Sequence, residues 1–79
     1  MTTNNINIDT FTVELTITDR GEYNSRIFEA GKLVAAMMDL RSCNMGFCPV
    51  PHLPQELSEL KALSLHIEAM IAFSTQQAA

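Results

Sequence analysis

Hydrophobic and polar residues alternate from Thr10 to Thr18. Phe11, Val13, Leu15 and Ile17 fall on one side, and Thr10, Thr12, Glu14, Thr16 and Thr18 on the other. A two-residue period rich in β-branched side chains predicts a strand with one buried and one solvated face. Ile6 and Ile8 have the opposite parity, and a bulge or bend near Asp9 would return them to the same face. Residues 1–5 are polar and are expected to fray.

After Asp19-Arg20-Gly21 two continuations compete. In the first, Gly21 turns the chain and residues 22–28 return as a second strand, with Tyr23 and Ile27 inward and Ser25 between them on the same face. In the second, Asp19 caps a helix with Glu22 as its capping-box partner, and the helix runs towards Ser42. Tyr23, Ile27, Ala30, Val34 and Met37 recur at helical spacing, whereas Gly21, Asn24, Ser25 and Gly31 are poor helix formers. The hairpin is slightly preferred, because a lone strand would need pairing from another molecule. From Arg26 onward a helix is expected on either continuation.

Gly46 is a plausible stop for that helix, and Pro49, Pro51 and Pro54 hold the following linker extended. Pro54 suits the first position of a second helix, with Glu56 near the positive end of its dipole. Leu57, Leu60, Leu63, Ile67, Met70 and Ile71 form its expected apolar stripe. Gln55, Glu59, Ala62, His66 and Ala69 lie on the opposite, outer face, and residues 75–79 are expected to loosen. The predicted fold is therefore α+β in one small domain spanning 1–79. It comprises an N-terminal β-strand or hairpin followed by two amphipathic α-helices joined by a Pro-rich linker.

Composition narrows the function more than it names one. The chain has 79 residues, of which 18% are charged, and a net charge of -4. A domain of this size has a thin stability margin, and a surface poor in charge suits one that is partly covered by another protein. Arg20, Arg26, Lys32, Arg41 and Lys61 do not cluster in the sequence, which disfavours nucleic acid as a partner. The N-terminus lacks a basic region and an apolar core, and no apolar run approaches a membrane span. A cytoplasmic protein with reduced thiols, and no membrane partner, is expected.

The break between the expected helices concentrates the unusual chemistry. Cys43, Cys48 and His52 are three ligand types in a short stretch, and His66 or Asp39 would have to complete a zinc tetrahedron. The paired-cysteine spacing of zinc modules is missing, so small buried thiols and a surface imidazole are the plainer expectation. A Cys–His nucleophile pair would need an oxyanion site that nothing in the sequence identifies. No enzyme activity and no cofactor are expected.

Met38, Met45 and Phe47 are hard to place in one core, and Met-rich surfaces adapt to partners. With Val50 and His52 they would anchor an interface on a larger protein, flanked by Glu56 and Glu59 facing a basic rim. In size and composition the chain is similar to the small inhibitors and accessory factors carried by phages and mobile elements, anti-CRISPR proteins among them. The expected function is a non-enzymatic interaction module that sterically blocks or regulates a larger complex and has the option of forming a homodimer. The alternative is a dimeric strand-helix-helix DNA-binding regulator, though the exposed strand face carries no Lys or Arg.

Overall fold

In a computed structural model, which describes residues 2–40 and 44–78 and side chains up to Thr75, five strands precede one helix. The strands are β1 (Thr2–Ile8), β2 (Phe11–Ile17), β3 (Tyr23–Glu29), β4 (Lys32–Asp39) and β5 (Phe47–Pro49), and the helix is α1 (Glu59–Ala78). The strands form an antiparallel meander in sequence order, β1-β2-β3-β4-β5. The expected order of a strand or hairpin followed by two helices is overturned. The preferred return strand over 22–28 is present as β3, but where a first helix is expected from Arg26 onward the chain continues as the β3–β4 hairpin, and Thr2–Asn5, expected to fray, lie within β1. A regulator built on two helices loses its structural basis with that correction.

Turn chemistry explains the meander. Asp9-Thr10 is a two-residue connection with Asp9 at φ 53, and it brings Ile6 opposite Val13 and Ile8 opposite Phe11. The parity mismatch of Ile6 and Ile8 is thereby resolved. Thr18–Glu22 closes around Gly21 at φ 80, with Gly21 N donating to Thr18 O (2.9 Å) and Thr18 N to Glu22 O (2.9 Å). This is a three-residue hairpin loop that needs a left-handed residue at its end. Ala30-Gly31 has φ 53 and 80, the two positive values of a type I′ turn.

β4 differs from β2 in pattern because it is covered on both faces. Its run Leu33-Val34-Ala35-Ala36-Met37-Met38 is continuously apolar. A register shift opposite Ile27/Phe28 inserts Val34 into the strand, so Val34 and Ala35 both enter the core. Buried strands read as apolar runs without alternation, which is why this segment imitates a helix.

The helix packs on the face made by Ile6, Val13, Leu15, Ile27, Ala35 and Met37. It starts at Glu59, five residues after Pro54, the expected first position: Ser58 is the N-cap, its Oγ accepting from Lys61 N at 3.1 Å. It also continues through Thr75 to Ala78, beyond the expected loosening point. Its buried side is Ala62, Leu65, His66, Ala69 and Phe73. This reverses the expected orientation. Leu60, Ile67 and Ile71, expected inside, are 78%, 41% and 61% exposed, and Ala62, His66 and Ala69, expected outside, are buried. Among the described residues, no helix is long and apolar enough to cross a membrane.

Ala30 occupies a left-handed conformation that its Cβ disfavours. Ala30→Asn is expected to raise stability by about 0.5–1 kcal/mol, because Asn tolerates the first position of a type I′ turn. Chemical denaturation at constant m-value checks this.

Candidate functional site

Two features of the sheet govern what the surface can do. The first lies inside the core. Ser25 sits on the helix-facing side of β3 between Leu15 of β2 and Met37 of β4. All three are buried, and Ser25 is the small polar member of that row. Above it, His66 Nδ1 lies 2.7 Å from Ser25 Oγ, and the imidazole meets the Phe47 ring at a centroid distance of 4.4 Å. His66 is fully buried, so its expected place on an outer face with Glu59 is corrected. The spacing of apolar residues gave no sign of this, because a histidine on a helix reads as polar and therefore outward.

Nearby, Asp39 closes the same end of the sheet. Asp39 Oδ2 accepts from Tyr23 N (3.0 Å), and Asp39 N donates to Asn24 Oδ1 (3.0 Å). These bonds tie the start of β3 to the end of β4 and hold Ser25 in register beneath His66.

The second feature is a groove of about 320 Å³ on the face of the sheet away from the helix. Its floor is Ala36 and Met38 of β4, and one wall is Val50 and Leu53. The segment carrying that wall is stapled to the edge of β4 at both ends: Val50 N donates to Ala36 O (3.0 Å) and Glu56 N to Val34 O (2.7 Å). Gln55 Nε2 donates to Val50 O (3.1 Å), closing the excursion on itself. His52 at φ 71 turns the loop at Pro51-His52-Leu53, a conformation His adopts more readily than most residues. Leu53 is thereby directed to the groove, and Ala36 is buried although it faces away from the helix.

The opposite wall is polar: Glu14, Thr16, Asn24 and Arg26. Arg26 Nε donates to Glu14 Oε1 at 2.8 Å, and Arg26 Nη2 bonds the same oxygen. Farther out the face is carpeted by cross-strand polar pairs, Thr12 Oγ1 to Asn7 Oδ1 (3.0 Å) and Thr3 with Thr16. An apolar floor between a fixed ion pair and an aliphatic wall suits an apolar side chain presented on a polar segment.

The residues expected to form one interface are dispersed. Met38 and Val50 meet at the groove. Met45 projects from the β4–β5 connection, 66% exposed, and His52 is exposed at the loop turn. Phe47 is half-buried and packs towards the helix against His66. Glu56 is paired with Lys32 Nζ at 3.0 Å, and Glu59 is exposed at the first turn of α1. Of the expected zinc ligands, Cys48 is half-buried in β5 and Cys43 lies outside the described residues. No metal-binding group of three such side chains occurs among the described residues. Sequence reasoning missed Leu53, Glu14 and Arg26. The last two lie opposite each other in β2 and β3 and become visible only once that pairing is known.

Removing the Ser25 hydroxyl leaves His66 Nδ1 without that hydrogen bond in the buried core. Ser25→Ala is expected to cost about 1–3 kcal/mol of stability, measured by urea unfolding. A loss under about 0.5 kcal/mol would show that the pair contributes little net energy.

No protein-family model matches the chain, and neither a curated protein nor a solved structure matches it.

Proposed function

We propose that the chain is a non-enzymatic protein-binding module, a small inhibitor or accessory factor acting in the cytoplasm by occluding a surface of a larger protein. The observation that carries this reading is the groove floored by Ala36 and Met38 and walled by Val50 and Leu53. It offers apolar surface on the sheet face that the helix leaves uncovered, next to the Glu14–Arg26 ion pair. Such a site binds one apolar anchor of a partner, with surrounding Thr and Asn groups meeting the partner's backbone.

The charge distribution also supports a protein partner. Arg20, Arg26 and Lys32 each lie within ion-pair distance of a carboxylate, on Glu22, Glu14 and Glu56 respectively. Lys61 stands over the Phe11 ring. Cations distributed in this way do not form a track for phosphates.

Met38→Asp combined with Leu53→Asp places two carboxylates on the apolar side of the groove. Capture from extracts of the source cells is expected to retain a partner with the native chain and lose it with this variant, with thermal unfolding verifying that the variant is folded. A captured set identical for both chains would remove the groove from the function.

A further inference from the structure

The helix carries a second apolar surface, independent of the groove. With 3.6 residues per turn, the side of α1 opposite buried Ala62, Leu65, Ala69 and Phe73 is the line Leu60, Ser64, Ile67, Ile71. Three of these four are large aliphatics, 78%, 41% and 61% exposed. Isolated exposed hydrophobics are ordinary, but a continuous row along one helix marks a contact surface.

The spacing of the row identifies what fits it. The intervals are four, three and four, which read the same in both directions. A second copy of the helix laid antiparallel therefore repeats the pattern: Leu60 meets Ile71 of the second copy, and Ser64 meets Ile67 of the second copy. Intervals of this kind are those of a helix-pair seam. Ser64 stands next to the two-fold axis, where a small side chain lets the backbones approach.

The flanks agree with the same register. A two-fold axis perpendicular to an antiparallel pair brings each flank of a helix against its own equivalent. One flank carries Lys61 and Glu68, both exposed, with the Lys61 ammonium standing over the Phe11 ring of its own subunit, from which it must swing to meet a second copy. Reversal places Lys61 beside Glu68 of the second copy, and Glu68 beside Lys61, so two opposite-charge contacts arise together. The other flank carries Leu63 and Met70, half-buried, which meet each other across the axis and widen the apolar seam. A parallel arrangement would instead set the Lys61 and Glu68 flank against the Leu63 and Met70 flank of the second copy, and neither charge would find an opposite partner on that flank.

We infer that α1 is the contact of a two-fold homodimer, with the helices paired antiparallel about Ser64 and Ile67 and the sheets on the outside. The groove then faces outward on each subunit, away from the dimer axis.

Sedimentation equilibrium of the full chain tests this. The native chain is expected to be a dimer at micromolar concentration, and Ile67→Glu, at an exposed site, a folded monomer by circular dichroism. Lys61→Glu reverses one partner of both charge contacts and is expected to raise the dimer Kd roughly tenfold. Adding Glu68→Lys to that variant restores opposite charges and is expected to return the Kd close to the native value. A monomeric native chain, or a dimer indifferent to Ile67→Glu, would overturn the assignment. Failure of the charge exchange to recover affinity would overturn the antiparallel register even if Ile67→Glu dissociates the dimer. If Ile67→Glu does not fold, the Lys61 and Glu68 variants decide alone.

Discussion

The hydrogen bond between Ser25 and His66 fixes the arrangement of the two layers. α1 is apolar on two sides, and hydrophobic burial alone does not choose between them. Docked the other way, Leu60, Ile67 and Ile71 would bury more aliphatic surface. That rotation would leave the Ser25 hydroxyl inside the core without His66, at a cost of roughly 1–3 kcal/mol. Ser25 is also small, flanked by Leu15 and Met37, and leaves room for an imidazole where a larger residue would not. One polar pair thus selects the rotation of the helix, and the rotation decides which apolar row remains outside.

From this follows a division of the surface. The helix-facing side of the sheet is consumed by the core, including Phe47, whose ring covers His66. The opposite side is polar over β1 and β2 and apolar over β4, where the stapled Val50–Glu56 segment raises a wall beside Met38. The outer helix row lies on the other extreme of the molecule. The two apolar surfaces are therefore separated by the full thickness of sheet and helix.

Parts of this were legible in the sequence. The strict alternation of Phe11–Ile17 identified β2, because one face of that strand is solvated. β4 was misread because both of its faces are covered and because the bulge at Val34 breaks whatever alternation remained. Tyr23, Ile27, Ala30, Val34 and Met37 match a helical period only because two strands and a turn happen to sum to it. Ser25 weighed against a strand as a polar residue on an inward face, and that position is where it contacts His66. The helix itself was expected, but its buried side was not, since the richest apolar row is the outer one. At the groove, Met38 and Val50 were singled out for the wrong neighbourhood. Their company with Leu53, Glu14 and Arg26 depends on pairings between distant segments that local patterns do not encode.

The order of elements has a consequence for synthesis. Every strand contact in the meander joins neighbours in sequence, so the sheet can assemble by successive hairpins as it leaves the ribosome. The helix follows all five strands in the chain. During that interval the face bearing Val13, Leu15, Ile27 and Met37 is formed but uncovered, and β1 offers a pairing edge. The nascent chain is thus most prone to aggregation just before its helix emerges, and closure of the Ser25–His66 contact marks the end of that window.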